Sequence, residues 1–288
     1  MPGAGRVSSA HVTGALESTD RGARRAGLLS MHARIVATGG RGPDLVYVPG
    51  IDGSGQLLLG AAERLERGFR LTRLAYGGDA GGDYGTLAAS VAECIRATGA
   101  ERALLLAESF GVAVALRTAL DHPERVAGLA LVNGFAHFPG RLGLLVTRAV
   151  FALTPAAWIH AARAGFLQRG LLAPRRDPEA LRSLLALPGD WFDERYRARL
   201  AWIQGLDLRP RLAQVRCPVA LYAAECDRVV ASVPAALEMA AALPDAELTR
   251  LPRAGHLVLP LAEEPWEERL AALARRADPR SRQSRRES

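Results

Sequence analysis

The 288-residue sequence predicts an α/β fold, in which a mostly parallel central sheet is flanked by helices and interrupted by a helical insertion. Short β-type runs alternate with helical patterns from Leu29 to Asn133. The alternation stops near Phe135 and resumes at Cys217. One sheet with an inserted helical segment is the simplest arrangement that fits both observations.

Five strands and two helices are predicted before the insertion. The strands are the runs LSMHARIVAT, LVYV, FRLTRLAY, RALLLA and VAGLALVN. The helix in GTLAASVAECIRATG places Leu87, Val91 and Ile95 on one face, and Thr86 is its expected N-cap. The second helix lies in FGVAVALRTALDHPERV and ends near Pro123, because proline cannot continue a helix.

The insertion is helical and apolar from about Phe135 to Arg211. The breakers FPGRLG, LTPAA and LALPGDWF divide it, and it contains no convincing strand. The alternation then continues with the strand CPVALYAAE, the helix VPAALEMAAAL and the strand AELTRL. The chain is predicted to finish on an amphipathic helix that places Trp266, Leu270 and Leu273 on one face.

These patterns divide the chain into four parts. Residues 1–24 are predicted to be a flexible N-terminal extension, and residues 276–288 a disordered basic tail. The α/β core is expected to comprise residues 25–134 and 211–275. Residues 135–210 form the helical insertion.

The charge of the chain gives little reason to expect a nucleic-acid partner. The formal net charge is +7 and the isoelectric point is about 10.1. However, the basic residues are arginines spread along the chain among alanine and acidic residues. Adjacent pairs occur only at Arg24 and Arg25, at Arg175 and Arg176, and in the C-terminal tail. No basic patch of the kind that attracts phosphates is therefore predicted.

The cysteines and the apolar segments indicate a cytoplasmic protein without a metal centre. Cys94, Cys217 and Cys226 are odd in number and lack C-x-x-C spacing, so neither a disulfide framework nor a zinc site is expected. The N-terminal stretch has no apolar signal-peptide core. The most apolar run, LGLLVTRAVFALTPAAWI, contains Arg148 and Pro155 and is not expected to span a membrane.

The stretch RALLLAESFGVAVAL predicts a nucleophilic serine. It reads as a strand, a tight turn and a helix, and its turn is a variant of G-x-S-x-G in which Ala107 replaces the first glycine. Small residues are needed two positions before and two after Ser109, because the backbone is tightly packed at this turn. The alternative is that Ser109 simply caps an ordinary helix.

A base and an orienting acid follow in the chain order Ser, Asp, His. Asp227 comes just after the strand VALYAAE, and His256 lies in a glycine-containing loop after the last strand. Glu225 is an alternative acid because it lies only two residues away from Asp227. His137 and His160 lie in the insertion, where the choice between lining a pocket and ordinary packing stays open.

The glycine-rich loop in VYVPGIDGSGQLL is not a nucleotide site. Gly50, Gly53 and Gly55 spell G-x-x-G-x-G, whereas the dinucleotide fingerprint is G-x-G-x-x-G. A phosphate-binding P-loop would need a lysine, and the sequence contains none. No cofactor is therefore predicted.

Together, VYVPGIDGSG, AESFG, AECDRVV and RAGH resemble the α/β-hydrolase superfamily, and the resemblance extends from about residue 29 to 275. Within it, PGIDGSG followed by ESFG is most similar to the esterase-type domain of plant phytyl ester synthases and their bacterial relatives. The acyltransferase-like H-x-x-x-x-D motif of those synthases is absent here. The loop also opens with Pro49 before Gly50, where the superfamily more often has H-G.

The resemblance implies an α/β-hydrolase fold in which residues 135–210 form a lid. It also implies that the backbone N–H groups of Ile51 and Phe110 form an oxyanion hole. Asp52 is expected to cap the following helix or to tie the loop down.

The hypothesis from the sequence is a serine hydrolase of the carboxylesterase, lipase or thioesterase type. Ser109, His256 and Asp227 would cleave a small-molecule ester or thioester with an apolar acyl or alcohol part through an acyl-enzyme. Two alternatives remain: transfer of the acyl group to an alcohol, and a catalytically silent scaffold that binds a partner. Peripheral membrane contact and the oligomeric state stay open.

Overall fold

A computed structural model describes residues 31–139, 164–172, 178–187, 193–261 and 263–278, together with individual positions between 145 and 174. The predicted N-terminal extension, His160 and most of the predicted basic tail lie outside the described residues. The strands are β1 His32–Gly39, β2 Asp44–Val48, β3 Arg70–Gly77, β4 Ala103–Glu108, β5 Val126–Val132, β6 Val219–Ala224 and β7 Ala246–Leu251. The described helices are α1 Ala61–Leu65, α2 Tyr84–Ala97, α3 Phe110–Asp121, α4 Pro178–Ala186, α5 Glu194–Gly205, α6 Ser232–Ala242 and α7 Trp266–Ala277, with a π-helix at Leu167–Leu172 and a 3-10 helix at Arg209–Gln214.

The seven strands form one sheet in the order β1-β3-β2-β4-β5-β6-β7. Every neighbouring pair is parallel except β1 and β3, which are antiparallel. The sheet is therefore mostly parallel, as predicted, and β1 is the antiparallel strand at its edge. The reason is the short link between Gly39 and Asp44, since a parallel crossover needs about a dozen residues or more. The chain turns back there, and β1 lies at the edge beside β3.

The two faces of the sheet are covered by different helices. The helices α2, α3 and α6 pack on one face, and α1 and α7 pack on the other. The central strand β4 is buried along its whole length, which explains its almost continuous apolar sequence ALLLAE. On α7, the predicted apolar face is the buried one and contains Trp266, Leu270 and Leu273.

Two predicted boundaries need correction. Asp83, and not Thr86, is the N-cap of α2, because its short carboxylate accepts a hydrogen bond from the Thr86 amide at 2.8 Å. At the other end of the chain, α7 continues through Ala277, so the tail does not begin at residue 276. Arg276 is held there by ion pairs with Asp245 at 2.6 Å and Glu247 at 2.9 Å.

The described part of residues 135–210 contains helices and one isolated bridge, between His137 and Asp207, but no strand. Helix α5 returns the chain to the core and buries Arg199, Leu200 and Ile203. Within the described residues, no helix has both the length and the apolar character needed to cross a bilayer.

Candidate active site

Ser109 sits on a strained turn between β4 and α3. Its φ of 53° and ψ of −122° lie in a region that costs a non-glycine residue about 1–3 kcal/mol. Its side chain makes no capping hydrogen bond to α3, in contrast to the alternative in which it serves only as a helix cap. Gly111 completes the turn, since a Cβ there would lie 2.4 Å from the carbonyl oxygen of Pro49. This strained turn therefore places the Ser109 hydroxyl beyond the end of the sheet.

His256 and Asp227 form a hydrogen-bonded series with Ser109. His256 Nε2 lies 3.0 Å from Ser109 Oγ, and His256 Nδ1 lies 2.7 Å from Asp227 Oδ2. Burial raises the pKa of Asp227, but His256, the Ser232 hydroxyl and the Val230 amide together hold that pKa below 3.8. Asp227 is therefore ionised at neutral pH and faces the imidazole as an acceptor.

Glu225 and His137, the other candidates from the sequence, make different contacts. Glu225 forms an ion pair with Arg250 at 2.9 Å, on the partly exposed side of the loop. His137 lies in the bridge with Asp207.

Asn133 holds the histidine loop, a role that no motif around this residue indicates. It lies just beyond β5 with a φ of 49°, and it is buried. Its side-chain amide donates to the carbonyl oxygens of His256 at 2.7 Å and Gly255 at 3.2 Å. Its side-chain oxygen accepts from the Ala224 amide at 2.8 Å. Asn133 thus ties together the ends of two strands and the loop that carries the imidazole.

The two predicted oxyanion donors are backbone amides beside Ser109. Phe110 is the first residue of α3, where an N–H has no intrahelical acceptor. No acceptor for the Ile51 N–H is found among the described residues. The Gly50 carbonyl accepts from the Gly53 amide at 3.1 Å, and Gly53 adopts a φ of 67° to make that turn.

Asp52 ties the loop down, one of the two roles expected for it. Its Oδ2 accepts hydrogen bonds from the Ser54 amide at 2.8 Å and the Ser54 hydroxyl at 2.5 Å. The other oxygen, Oδ1, is buried and has no hydrogen-bond partner in the described part of the chain. The side chain therefore forms a local turn and still contributes an unsatisfied acceptor next to Gly50.

Glu108, immediately before Ser109, is a buried carboxyl group that lines a cavity beside Ser109. It accepts a hydrogen bond from the hydroxyl of Tyr47, which is itself buried. Burial raises the pKa of Glu108 to about 7, although the Tyr47 hydrogen bond and His256 act in the opposite direction. Asp52 raises the pKa further through charge repulsion. Glu108 therefore changes its charge near neutral pH.

A cavity of about 90 Å³ opens beside Ser109 and His256. Most of its wall is apolar and is formed by Leu57, Phe166, Leu167, Leu171, Val229 and Leu257. The Leu257 amide donates to the Leu171 carbonyl at 3.0 Å, so the π-helix of the insertion is bonded to the residue after His256. The insertion and the histidine loop thus share one wall of the pocket. The described residues hold no cluster of three His, Cys, Asp or Glu side chains suited to a metal ion.

A mostly parallel sheet of this order, a strained serine at a strand-to-helix turn, and an imidazole bonded to an acid define a hydrolase of the α/β type. The comparison with known families agrees. The model of the alpha/beta hydrolase family matches residues 45–272, and the chain belongs to that family. The fold class predicted from the sequence is therefore confirmed.

The relatives are hydrolases with different named substrates. A putative carbamate hydrolase RutD from Klebsiella pneumoniae (strain 342) is 28% identical over 226 residues, which cover 74% of this chain and 84% of that protein. The structure of the esterase RhEst1 from Rhodococcus sp. ECU1013 matches with a TM-score of 0.70 at 20% identity, over 85% of this chain and 94% of that one. The enol-lactonase from Burkholderia xenovorans LB400 matches with a TM-score of 0.70 at 19% identity, over 84% and 95%. At these identities, the structural likeness establishes the fold alone, and the closer likeness to phytyl ester synthases stays a prediction.

Proposed function

We propose that this protein is a serine hydrolase that cleaves a carboxylic ester or thioester through an acyl-enzyme. The observation that carries the proposal is the unbroken series from Ser109 through His256 to the ionised Asp227, at the wall of an apolar pocket. Such a series activates a hydroxyl that is a poor nucleophile on its own.

In the first half of the reaction, Ser109 Oγ attacks the substrate carbonyl and His256 Nε2 takes the hydroxyl proton. Asp227 holds the ring by its Nδ1 side and stabilises the imidazolium that forms. The carbonyl oxygen becomes negatively charged and accepts hydrogen bonds from the amides of Ile51 and Phe110. In other enzymes, removal of one such hydrogen-bond donor costs about 3–4 kcal/mol. His256 then returns the proton to the leaving alcohol or thiol.

In the second half, water attacks the acyl-enzyme. His256 takes a proton from that water and gives it to Ser109 Oγ as the acyl–oxygen bond breaks, which releases the acid product and restores the serine. The apolar wall of Phe166, Leu167 and Leu257 suits a hydrocarbon group on the acyl or alcohol side.

A fluorophosphonate probe tests the nucleophile directly. Purified wild-type protein is expected to be labelled at Ser109, and Ser109→Ala is expected to lose both the label and the turnover of an ester and thioester panel. Ser183→Ala is a matched control, because Ser183 is a hydroxyl residue on α4 that does not line the described pocket. Wild-type protein that is folded but not labelled would contradict the proposal.

Hydrolysis of a carbamate is the second candidate. It is favoured by the two carboxyl groups of Asp52 and Glu108 in the pocket wall, since the nitrogen of a carbamate needs hydrogen-bond acceptors that an ester does not. Phenyl carbamate and phenyl acetate have nearly the same shape and the same leaving group. Faster turnover of phenyl carbamate, with the difference reduced in Glu108→Gln, would favour this candidate. Equal or faster turnover of phenyl acetate would favour the ester.

Two rival functions keep the same fold. If the acyl group passes to an alcohol, adding a long-chain alcohol will give a new ester among the products of wild-type protein. If the scaffold is catalytically silent, neither labelling of Ser109 nor turnover will be seen. The complete hydrogen-bonded series argues for an active enzyme.

A further inference from the structure

Arg199 is the most deeply buried of the described arginines, with 2% of its surface exposed. It lies on α5, near the end of the insertion, where the chain returns to the core. Burial lowers the pKa of this guanidinium, although the nearby Asp52 opposes the effect. Burial of a charged group costs several kcal/mol unless hydrogen bonds compensate it. The contacts that compensate this one lie mainly in the glycine-rich loop beside Ser109.

The guanidinium donates hydrogen bonds to two consecutive carbonyl groups of that loop. Nε donates to the carbonyl oxygen of Ile51 at 2.8 Å, and Nη2 donates to that of Asp52 at 3.3 Å. Nη1 lies 3.4 Å from Met31 Sδ, and the group also stacks 5.7 Å from the centre of the Tyr76 ring. The planar fork of arginine can bind two acceptors at once, which the single ammonium of lysine does less well.

The loop is therefore fixed on both sides of the Ile51 amide. The hydroxyl of Tyr76 donates to the Pro49 carbonyl at 2.8 Å, and the Gly53 amide donates to the Gly50 carbonyl at 3.1 Å. In a planar trans peptide, the N–H of Ile51 points away from the Gly50 carbonyl. With the next carbonyl held by Arg199, that N–H has little freedom to rotate.

We propose that Arg199 is a positioning residue that holds the Ile51 amide toward the charged oxygen of the tetrahedral intermediate. The inference rests on the proposed acyl-transfer function and deepens it. Arg199 does not line the described pocket, so it acts through the backbone of the loop and not by touching substrate. Its loss should weaken binding of the transition state more than binding of the ground state, because the charged oxygen exists only in the former.

The test compares Arg199→Met and Arg199→Lys with Arg197→Met. Arg197 is an exposed arginine two residues away on the same helix, so it controls for removal of a positive charge from α5. For each variant, kcat and KM are measured on the best ester. Affinities are measured for a trifluoromethyl ketone, which forms a tetrahedral adduct with serine, and for the acid product.

We expect Arg199→Met to lower kcat about 10- to 100-fold with KM changed less than about threefold, since small misplacements of catalytic groups have effects of this size. Affinity for the ketone should fall in proportion, while affinity for the acid product stays unchanged. Arg199→Lys should give values of kcat and ketone affinity between those of Arg199→Met and wild type. Arg197→Met should match wild type. If Arg199→Met does not fold, the same pattern in Arg199→Lys is the expected result.

Two results would overturn the inference. One is a folded Arg199→Met, or Arg199→Lys where only that variant folds, with kcat and ketone affinity within about threefold of wild type. The other is a parallel fall in kcat, ketone affinity and product affinity, which would indicate general loss of structure. Wild-type protein that neither labels at Ser109 nor turns over any substrate instead refutes the proposed function, and the role of Arg199 falls with it.

Discussion

Replacing Glu108 with glutamine should remove a pH-dependent loss of stability. Glutamine keeps the acceptor for the Tyr47 hydroxyl and nearly the same shape, but it cannot ionise. In the folded protein, burial raises the pKa of Glu108 from 4.5 to about 7. Ionising this side chain inside the folded protein is thus harder than ionising it in the unfolded chain.

The size of this loss of stability follows from the difference between the pKa of Glu108 in the folded protein and its pKa in the unfolded chain. The folded state binds the Glu108 proton more tightly, so the contribution to stability is complete below pH 4.5 and is lost as the pH rises through about 7. One pKa unit corresponds to about 1.4 kcal/mol, and the loss between pH 5 and pH 8 is about 2–3 kcal/mol. Asp52 and His256, the other titratable groups that act on Glu108, are present in both proteins.

Urea unfolding at pH 5, 6, 7 and 8 measures the effect. The free energy of unfolding of wild type should fall by about 2–3 kcal/mol more than that of Glu108→Gln over this range. Glu101→Gln is the matched control, because Glu101 is an exposed carboxylate just before the same strand. It should show the same pH dependence as wild type.

Parallel pH profiles for wild type and Glu108→Gln would refute the reasoning. They would mean that Glu108 keeps one charge state throughout and that its burial is compensated by other contacts. A profile in which Glu108→Gln loses more stability than wild type toward pH 8 would reverse the sign and refute it as well.

Three further predictions concern the loops and the pocket. Asn133→Ala should lower kcat about 10-fold or more and cost about 1–3 kcal/mol in urea unfolding, because it leaves the Ala224 amide and the His256 carbonyl without partners; unchanged kcat would contradict its role. Gly111→Ala should cost at least about 2 kcal/mol, since the new Cβ would meet the Pro49 carbonyl, whereas Gly60→Ala, with nothing within 4 Å of its Cβ, should be nearly neutral. Along a series of p-nitrophenyl esters from acetate to hexanoate, kcat/KM should rise by up to about fourfold per methylene until the apolar wall is filled, and a flat or falling series would count against an apolar acyl pocket.

The fold was largely predictable because its evidence is local. Buried parallel strands read as short apolar runs, and the predicted strands agree with the observed ones to within a few residues. The direction of β1 was not predictable from its own residues, since it depends on the length of the link to β2. Similarly, Asp83 and Thr86 are both acceptable caps, and only the backbone geometry decides between them.

The candidate site was predictable to the extent that strand ends meet at one edge of a parallel sheet. Ser109, Asp227 and His256 each follow a strand, and the structure brings their side chains within hydrogen-bond distance. The supporting residues could not be found in this way. Asn133 acts on a loop 123 residues away in sequence, and Arg199 on one 148 residues away. A single asparagine after a strand, or one arginine among many, carries no pattern that would reveal such a contact.

The proposed activity depends on two sets of side chains, those that would react and those that hold them in place. The groups that would react lie on loops, which are less constrained than the strands they follow. A site on loops needs a second set of side chains to fix its geometry to within about 0.5 Å. Here Asn133, just beyond β5, holds the loop of the proposed base, and Arg199 on α5 holds the loop of the proposed oxyanion donor. A related chain could keep Ser109, Asp227 and His256 and still be slow if either support were lost. The presence of both supports is therefore a better indication of an active hydrolase than the three reacting residues alone.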